Sequence, residues 1–368
     1  MVQATAAVLW QGQKSVSVET VEIEDPRPGE VLVKIVATGV CHTDMVMRDQ
    51  LLPTPQPVVL GHEGAGIVEK VGAGVDHLKP GDAVVISFNN CGTCLSCRER
   101  EPAYCQEFFP RNFFATRTDG STSISKDGTA IHSNVFGQSS FANYALSHTQ
   151  NTVKVDTDVP LELLGPLGCG FQTGAGAILN ALKVKKGRSL AIFGTGAVGL
   201  TAVMAAKIAA ANKIIAIDLN RERLDLALEL GATHAINASD GDTAAKILEI
   251  CPGGIDYTMD TSAHIPVVQT AIEVLAPRGV CGLVGAFKLE DTLLLNATHL
   301  LSGGRSVRGI VEGDADPHSF IPQLIQYYRQ GQFPIDRLTS FFDLENINDA
   351  IAAGESGRVV KPIVRMPA

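Results

Sequence analysis

Residues 189–218, SLAIFGTGAVGLTAVMAAKIAAANKIIAID, have the pattern of a strand, a glycine-rich turn, a helix and a second strand. The residues from Leu190 to Phe193 form an unbroken apolar run, as expected of a parallel strand that is covered on both faces. The turn that follows contains Gly194, Gly196 and Gly199 in the spacing G-x-G-x-x-G. The stretch therefore predicts a βαβ unit of a doubly wound α/β sheet.

Each glycine of this turn has a separate function in a dinucleotide-binding site. Gly194 permits the tight turn, Gly196 lets the backbone approach a pyrophosphate closely, and Gly199 lets the helix pack tightly on its strand. The first turn of the helix offers unpaired N–H groups and the positive end of the helix dipole to the phosphates. Because the glycines stand between a strand and a helix, the motif favours dinucleotide binding over an ordinary turn.

An acidic residue ends the second strand. Asp218 lies about 20 residues beyond the last glycine, where the dinucleotide fingerprint has a carboxylate for the ribose hydroxyls. A carboxylate there would repel the 2′-phosphate of NADP, so the sequence predicts NAD as the cofactor. Arg221 and Arg223 follow closely, and these basic side chains leave the use of both cofactors open.

Composition limits the classes of protein to consider. At 368 residues the chain is too long for one compact core, which favours two domains. Its formal net charge of −9, without a basic cluster, argues against nucleic acid as a partner. The N-terminus lacks the features of a secretory signal, and no apolar run is long enough to span a bilayer. We therefore expect a cytoplasmic protein with no membrane partner, whose eight cysteines serve metal binding or catalysis more readily than disulfides.

The pattern of elements changes near residue 161. Before it, short alternating segments such as 31–36 are separated by Pro and Gly turns, which is typical of a small β-barrel or sandwich. From Gly168 the sequence GCGFQTGAGAILNALKV predicts a helix, and strands and helices then alternate. One amphipathic helix follows Val311, and the tail 336–365 mixes short helix and strand. We expect this tail to return to the first domain.

Four cysteines stand close together in one loop. Their spacing, C-x2-C-x2-C-x7-C, lets a single loop wrap four thiolates tetrahedrally around zinc. The residues are Cys91, Cys94, Cys97 and Cys105. A site with four thiolates has no open position for a substrate, so this zinc would stabilise structure. The alternative is a set of reduced thiols or a redox switch.

A second set of potential metal ligands is dispersed along the chain. Cys41 lies in GVCHTD, His62 in LGHEGAG and Cys169 in LGCGFQTGAG. A single cysteine is most often a small buried hydrophobe and a single histidine a core residue, so spacing alone leaves this ligand set open. Asp44 and Glu63 each stand close to one of the three, and carboxylates are the usual neighbours of metal-bound imidazole. Their presence favours a second metal site.

Taken in chain order, these motifs resemble those of the zinc-dependent medium-chain alcohol dehydrogenases. The resemblance rests on GVCHTD, GHEGAG, the four-cysteine loop, GCGFQTGAGA and GTGAVGL, and it covers nearly the whole chain. In detail, GPLGCGFQTGAGAILNAL, FGQSSFANYAL and EGDADP look most similar to the bacterial aryl-alcohol (benzyl alcohol) and geraniol dehydrogenases. The resemblance implies a Rossmann NAD-binding domain with a doubly wound parallel sheet in residues 168–311. It also implies a β-rich GroES-like catalytic domain in residues 1–167 and 312–368, with a structural-zinc loop at about 91–105.

The family implies two zinc ions per chain, of which the four-cysteine loop would hold the structural one. Cys41, His62 and Cys169 would bind the catalytic ion, whose fourth position takes water or the alcohol oxygen. The ion would lower the pKa of the alcohol, and the alcohol carbon would then give a hydride to the nicotinamide of NAD. Asp44 would orient His62, and Glu63 would lie behind the metal.

Other positions match residues that the family uses for proton transfer and cofactor binding. Thr43 resembles the hydroxyl that passes the alcohol proton towards the cofactor ribose. Thr173 and Val198 resemble residues that press on the nicotinamide. Lys361 and His42 resemble residues that contact the pyrophosphate, where a histidine binds less firmly than an arginine.

One position departs from the family pattern. Many relatives have a histidine five residues after the first zinc cysteine, and here that residue is Val46. Either the ribose hydroxyl delivers its proton directly to water, or a different group substitutes, for which His42 is the nearest candidate. Cys251 and Cys281 match no motif, and we expect both to be buried in the core.

The sequence therefore predicts an enzyme that interconverts a primary aromatic or allylic alcohol and its aldehyde with NAD, at a site in the cleft between its two domains. Polyol dehydrogenases share the fold but commonly have Glu as the third ligand, and zinc-free quinone reductases or inactive relatives would lack the ligands.

Leu52, Phe88 and Phe113 are candidates for an apolar pocket lining. The family forms dimers and tetramers, so we expect a homo-oligomer of either size.

Overall fold

The computed structural model describes residues 1–156 and 158–367, which divide into two compact units. The first unit contains Met1–Gly170 together with the chain from Asp316 onward. The second unit contains Phe171–Ala315. The first unit contains two sheets and the second unit contains one, and each unit has its own core.

The regular elements alternate with short turns and 3₁₀ helices. The strands are β1 (Val2–Leu9), β2 (Ser17–Ile23), β3 (Glu30–Gly39), β4 (Val58–Val59), β5 (Gly64–Val71), β6 (Ala83–Ile86), β7 (Ile124–Lys126), β8 (Thr129–Ile131), β9 (Tyr144–His148), β10 (Thr152–Lys154), β11 (Ser189–Phe193), β12 (Lys213–Asp218), β13 (His234–Asn237), β14 (Ile255–Asp260), β15 (Leu275–Leu283), β16 (Ser306–Gly309), β17 (Thr339–Asp343) and β18 (Lys361–Arg365). The helices are α1 (His42–Arg48), α2 (Leu95–Arg98), α3 (Phe108–Phe113), α4 (Gly170–Gly176), α5 (Ala197–Ile208), α6 (Arg221–Leu230), α7 (Thr243–Ile250), α8 (Ile265–Glu273), α9 (Ala297–Gly303), α10 (Pro317–Arg329) and α11 (Ile347–Glu355).

The first unit is built on two sheets rich in antiparallel pairs. One has five strands in the order β4-β1-β2-β7-β8, and the other has seven, in the order β10-β6-β5-β3-β18-β17 with β9 also paired to β3. β3 lies at the centre of the second sheet, because β5, β9 and β18 all pair with it antiparallel. Since β18 contains residues 361–365, the C-terminal segment completes the sheet that is built around β3.

The core of this unit lies beneath the segments that carry the metal-ligand candidates. A buried cluster joins side chains of β1 to Met45 and Met47 of α1 and to Phe88, Phe136 and Phe141. Burial of apolar side chains of this size contributes about 1.5–3 kcal/mol each to folding. This packing fixes α1, and with it the residues at the start of α1.

The second unit contains one parallel sheet of six strands in the order β13-β12-β11-β14-β15-β16. β11 lies between β12 and β14, and the strand order reverses at this strand. Its residues Leu190, Ala191 and Ile192 are fully buried, as the apolar run predicts for a strand covered on both faces. The predicted fold class, a Rossmann-type doubly wound sheet with a second β-rich domain, is confirmed. Cys251 and Cys281 are buried in the core of this unit, as expected.

The helix predicted from Gly168 is interrupted in the structure. A 3₁₀ turn covers Gly165–Gly168, Cys169 has a non-helical backbone, and α4 begins only at Gly170. After α4 the chain continues as a π-helical segment, Ala177–Ala181. The prediction of one continuous helix was therefore wrong. Cys169 lies at this break, between the 3₁₀ turn and α4. The direction of its side chain is therefore not set by helical geometry.

None of the helices within residues 1–156 and 158–367 combines the length and apolar character needed to cross a membrane.

Candidate functional site: two cysteine-rich clusters and a glycine turn

The first unit gathers the dispersed ligand candidates into one cluster. Ligand atoms of Cys41, His62, Glu63 and Cys169 all lie within 4.8 Å of one another. Cys41 precedes the first turn of α1, His62 and Glu63 precede β5, and Cys169 stands at the break before α4. His62 and Glu63 are fully buried, whereas Cys41 is half-buried. Three segments that are remote in sequence thus converge on one point.

His62 is oriented by Asp44. The Nδ1 atom of His62 lies 2.9 Å from Oδ1 of Asp44, and both side chains are fully buried. Asp44 is held in turn, because its carboxylate accepts the N–H groups of Cys41 and Gly61, each at 3.0 Å. The Nε2 atom of His62 is buried without a hydrogen-bond partner. Burial lowers the pKa of His62, but the charges of Asp44 and Cys41 outweigh burial and raise it well above its usual range. A metal ion at Nε2 would take the place of the proton there while Nδ1 donates to Asp44, which is the arrangement of a histidine that ligates a metal.

The thiols of the cluster are also suited to a metal ion. The neighbouring Cys169 thiol lowers the pKa of Cys41 well below its usual range, with Lys361 and His62 adding positive charge against the opposing effect of burial. A thiolate is the form of cysteine that binds zinc. Two sulfurs and one imidazole nitrogen that has no hydrogen-bond partner therefore fit the ligand set of a zinc site with an open position.

Glu63 has a partner that the sequence did not indicate. The Nζ atom of Lys361 donates to both carboxylate oxygens of Glu63 at 2.9 Å and to the carbonyl of Val40 at 3.2 Å. Glu63 also accepts the N–H of Gly170 at 3.2 Å, beside Cys169. Lys361 is itself 3% exposed. The structure thus gives Lys361 a buried role behind the cluster, and its contact with the cofactor pyrophosphate stays a prediction.

The candidates for proton transfer lie at the start of α1. The Thr43 hydroxyl is half-buried and lies 3.9 Å from the Cys41 sulfur. His42 is the first residue of the helix and is exposed, and Val46 is half-buried one turn further along. Thr43 is therefore the hydroxyl that this helix presents beside the ligand cluster.

An aromatic ring that the sequence did not indicate covers the imidazole of His62. The ring of Phe136 stacks on the imidazole with centroids 4.4 Å apart, and Phe113 meets Phe136 edge-on at 5.1 Å. Phe136 has a positive φ of 51° in a segment where Asn134, Gly137 and Ser139 also have positive φ. Such backbone is uncommon for large side chains and is found where surrounding structure fixes it. Of the three residues predicted to line the pocket, Phe113 and Leu52 are half-buried against the core, and Phe88 is fully buried.

Gln138 follows Phe136 and supports the same segment. Its side-chain oxygen accepts the N–H of Gly64 at 3.0 Å, and its amide nitrogen donates to the carbonyl of His62 at 2.9 Å. Both bonds are buried, so they fix the backbone on either side of Glu63. The motif FGQSS is the signal in the sequence that could have identified this support.

The four-cysteine loop forms the second cluster of the first unit. Its sulfur atoms, from Cys91, Cys94, Cys97 and Cys105, lie within 4.8 Å of one another. Backbone N–H groups point at the sulfurs: those of Thr93 and Cys94 lie 3.4 and 3.3 Å from the sulfur of Cys91. Burial raises the pKa of Cys91, but these bonds outweigh burial and lower its pKa to about 6. These N–H groups thus favour a thiolate at Cys91, and the four sulfurs together fit a closed tetrahedral site.

The glycine turn of the second unit has the geometry of a dinucleotide site. Gly194 has a φ of +95°, which an L side chain rarely adopts. A Cβ on Gly199 would lie 1.9 Å from the carbonyl oxygen of Gly194, so only glycine permits this approach of helix to turn. At Gly196, in contrast, an added Cβ would meet only Arg223 Nη1, at 3.9 Å. The backbone at Gly196 is therefore open towards a ligand, at the start of α5.

Asp218 is bonded to the glycine turn. One carboxylate oxygen accepts the N–H of Thr195 at 2.6 Å and its hydroxyl at 2.7 Å, and the other accepts the N–H groups of Leu219 and Asn220. Burial raises the pKa of Asp218, but these hydrogen bonds hold its pKa below the usual value. The carboxylate is therefore ionised at the end of β12. Arg221 forms an exposed ion pair with Asp240 instead.

Thr173 and Val198 come together in the second unit. A Cβ on Gly174 would lie 2.0 Å from the carbonyl oxygen of Val198, so α4 and the start of α5 are in backbone contact. Thr173 Oγ1 lies 3.3 Å from the carboxylate of Glu312, a residue of the EGDADP motif. The structure thus adds an acidic side chain beside the predicted nicotinamide contact.

Comparison with known proteins agrees with this geometry. Residues 27–157 match the alcohol dehydrogenase GroES-like domain, and residues 197–328 match the zinc-binding dehydrogenase domain. The chain is 46% identical to a geraniol dehydrogenase of Castellaniella defragrans over 365 residues, which cover 99% of this chain and 98% of the relative.

Solved structures resemble the whole chain. A zinc-binding domain protein of the alcohol dehydrogenase class from Burkholderia ambifaria superposes with a TM-score of 0.98 at 51% identity, covering all of both chains. Benzyl alcohol dehydrogenase from Acinetobacter calcoaceticus superposes with a TM-score of 0.97 at 44% identity, again over all of both chains. The chain therefore belongs to the zinc-binding alcohol dehydrogenase family, and zinc with a nicotinamide dinucleotide is the cofactor set that membership implies.

Proposed function

We propose that this enzyme oxidises a primary aromatic or allylic alcohol to its aldehyde with NAD, and catalyses the reverse reaction. The observation that carries the proposal is the buried and unpartnered Nε2 of His62, which Asp44 aims into a cluster with Cys41 and Cys169. The relatives that act on geraniol and benzyl alcohol support this choice of alcohol class.

In this proposal each chain holds two zinc ions. Cys41, His62 and Cys169 hold one, and the four-cysteine loop holds the other. A zinc ion held at the first site would supply Lewis acidity for the alcohol oxygen, and bound NAD would supply the hydride acceptor. The four thiolates of the second site leave no open position, so that ion stabilises the loop.

The residues of the chain have separate parts in the reaction. The Thr43 hydroxyl would accept the alcohol proton and pass its own proton to the cofactor ribose, since a hydroxyl both donates and accepts. Asp44 holds His62 in one tautomer. Glu63 and Lys361 keep a neutral ion pair behind the ligands, which limits the net charge of the buried site.

The proposed preference for NAD rests on Asp218. Its carboxylate is ionised and fixed at the end of β12, beside the glycine turn. A 2′-phosphate at this place would meet a like charge. Arg223, whose guanidinium lies near Gly196, is the side chain that would favour NADP if this repulsion were removed.

The aromatic side chains favour a planar substrate. Phe136 covers the imidazole of His62, and Phe113, Phe109 and Phe114 continue from it as ring contacts with centroids 5.0–5.9 Å apart. Phe109 and Phe114 are 49% and 53% exposed, so this row of rings runs from the buried imidazole to the surface of the first unit. Aromatic faces gain about 0.5–1.5 kcal/mol from stacking with another flat π-system beyond the gain from burial.

A panel of alcohols tests the function. We expect rapid reduction of NAD with benzyl alcohol, cinnamyl alcohol or geraniol, and kcat/KM at least about tenfold lower with ethanol and sorbitol. Cyclohexylmethanol is the matched control, because it has the ring size of benzyl alcohol without the planar π-system. Preference for ethanol or sorbitol would contradict the proposed substrate class, and reduction of none of them would contradict the proposed activity.

We propose in addition that the protein is a cytoplasmic homo-oligomer. None of its eight cysteines, all of which lie within the described residues, forms a disulfide, which suits a reducing compartment. In the second unit Leu289, Leu294 and Leu301 are 92, 81 and 85% exposed, and β16, which follows them in the chain, is an edge strand of the sheet. Exposed apolar side chains and an open sheet edge each favour pairing with a second copy. Light scattering of Leu294→Glu and Leu301→Glu, compared with the unaltered protein, tests this; an unaltered protein of one chain would contradict it.

A further inference from the structure

The glycine turn of the second unit contains a buried hydroxyl between its first two glycines. Thr195, the second residue of GTGAVG, is fully buried. The turn is bound to the neighbouring strand β12, because the Gly194 N–H donates to the carbonyl of Ile217 at 2.8 Å. It is also bound to the end of β14, because the Thr261 hydroxyl donates to the carbonyl of Phe193 at 3.0 Å. Thr195 is thus part of a turn that is held to the strands on both sides of β11.

Thr195 binds the carboxylate of Asp218 through both its backbone and its side chain. Its N–H and its hydroxyl lie 2.6 and 2.7 Å from the same oxygen, Oδ2. The other oxygen, Oδ1, accepts the backbone N–H groups of Leu219 and Asn220 at 2.7 and 2.9 Å. Hydrogen bonds to an ionised group are stronger than those between neutral groups, and here they hold both carboxylate oxygens. The position and the direction of the carboxylate are therefore fixed.

A fixed carboxylate discriminates between the two cofactors more strongly than a mobile one. NADP differs from NAD by a phosphate on the 2′-hydroxyl of the adenosine ribose, which the charge of Asp218 repels. A carboxylate that turns away escapes this repulsion, so the penalty against NADP cannot exceed the free energy needed to turn it. Each hydrogen bond that holds the carboxylate raises this limit. The Thr195 hydroxyl contributes to the limit as a side chain, so a substitution can remove it and leave the backbone N–H groups in place.

We propose that Thr195 is a specificity-determining residue, whose hydroxyl strengthens the preference for NAD by holding the Asp218 carboxylate in place. It is a positioning residue, because it acts on the cofactor through Asp218. The inference rests on the proposed function, which assigns Asp218 to the discrimination between NAD and NADP. NAD binds beside the carboxylate as Thr195 holds it, whereas NADP requires the carboxylate to turn away. Loss of the hydroxyl should therefore affect the two cofactors unequally.

Binding measurements without any alcohol test the inference. The dissociation constants of NAD and NADP are measured by calorimetry for the zinc-loaded unaltered enzyme and for Thr195→Val, which keeps the branched shape and removes the hydroxyl. We expect NADP to bind about threefold to tenfold more tightly in the variant, with the NAD constant changed by less than about twofold. Thr195→Ser retains a hydroxyl and should restore the NADP constant of the unaltered enzyme.

Two controls separate this role from a structural one. Thr258 is also a fully buried threonine of the second unit, and its hydroxyl donates to the carbonyl of Ala271 at 3.0 Å. In Thr258→Val both constants should therefore stay within about twofold of the unaltered enzyme. In an Asp218→Ser background the carboxylate is gone, so Thr195→Val should there change the NADP constant by less than about twofold.

The outcomes distinguish the inference from the proposed function. An unchanged NADP constant in Thr195→Val would overturn the inference, and so would an equal gain in Thr258→Val or in the Asp218→Ser background. Thr195→Ala also lacks the hydroxyl and decides the question in the same way if Thr195→Val does not fold. An unaltered enzyme that prefers NADP would overturn both the repulsion by Asp218 and the inference. If the unaltered enzyme binds neither cofactor, the proposed function itself fails.

Discussion

The Nζ atom of Lys361 lies 2.9 Å from each carboxylate oxygen of Glu63, although 298 residues separate them along the chain. Burial lowers the pKa of Lys361, but its attraction to Glu63 outweighs burial and raises the pKa above the usual value. Burial also raises the pKa of Glu63, and Lys361 opposes that shift. The two residues therefore depend on each other for their charged states, directly behind Cys41, His62 and Cys169.

We expect Lys361→Met to destabilise the enzyme strongly. The variant leaves Glu63 buried without its counter-charge, and removal of one partner of a buried ion pair costs about 3–5 kcal/mol. Chemical denaturation of the zinc-loaded protein measures the free energy of unfolding. Lys361→Arg is the control, since it keeps the charge and should lose less than half as much. A loss below about 1 kcal/mol in Lys361→Met would contradict a paired buried charge.

Glu30 and Arg117 provide a test that depends on pH. Arg117 Nε lies 2.6 Å from Glu30 in a pair that is nearly fully buried. Burial raises the pKa of Glu30, but hydrogen bonds from Arg117 and from the Arg27 N–H outweigh it and hold the pKa below its ordinary 4.5. Because the folded pKa is depressed, the ionised carboxylate stabilises the protein above pH 4.5, and this stabilisation is lost as the pH falls through the folded pKa.

Glu30→Gln should therefore lower stability by about 3–5 kcal/mol at neutral pH. The difference from the unaltered protein should be constant between about pH 6 and 8 and should shrink below about pH 4.5. Thermal unfolding at several pH values measures it. Lys70→Gln breaks an exposed pair with Asp25 and should leave stability nearly unchanged at every pH. A Glu30→Gln effect that vanishes between pH 6 and 8 would contradict the buried ion pair.

Local motifs predicted much of this molecule because their residues are close in sequence. The Gly194 turn, the acidic end of β12 and the four-cysteine loop each form within one short segment, where spacing determines geometry. The fold class followed from the same local patterns. The resemblance of the motifs to a known family supplied the assignment of Cys41 and Cys169, which no spacing could give.

Contacts between remote segments could not be predicted in this way. The pairing of Lys361 with Glu63 and the stacking of Phe136 on His62 depend on how strands from both ends of the chain meet in one sheet. The break before α4 coincides with close backbone packing at Gly168, where a Cβ would lie 2.2 Å from the carbonyl oxygen of Ile86. Tertiary contacts override local preference at such positions, and they are concentrated around the site.

The cofactor preference is tested at Asp218. Asp218→Ser should weaken NAD binding and let NADP compete, so that the ratio of kcat/KM for NAD to that for NADP falls on the order of tenfold. Arg221 and Arg223 would assist the 2′-phosphate. Asp225→Ser, at an exposed position of α6, is the control for net charge and should leave the ratio unchanged. If the unaltered enzyme already prefers NADP, the repulsion argument is wrong.

Proton exit is tested at Thr43. Thr43→Val removes the hydroxyl beside Cys41 and should lower kcat by about 100-fold or more, in line with the loss of positioned proton transfer. Thr43→Ser keeps a hydroxyl and should retain most of the activity. Retention of full activity by Thr43→Val would exclude this hydroxyl from the proton path.

Substitution of Val46 provides a separate test of proton exit. Val46→His places an imidazole one turn beyond Thr43, and this group titrates near pH ~6.5. We expect the pH profile of alcohol oxidation to change most clearly below neutral pH, with little change in NAD affinity. An unchanged profile, with hydride transfer shown to be rate-limiting, would mean that proton exit does not depend on this position.

The zinc content of the protein, measured by elemental analysis together with turnover, tests the central claim most directly. We expect two zinc ions per chain in the unaltered enzyme, and one in Cys169→Ser, which should keep its fold and the zinc of the four-cysteine loop but lose nearly all turnover. Cys97→Ser, the matched control, should also lose one zinc, but its first effect should be a lower unfolding temperature. One zinc ion in the unaltered enzyme, or full turnover in Cys169→Ser, would contradict the account.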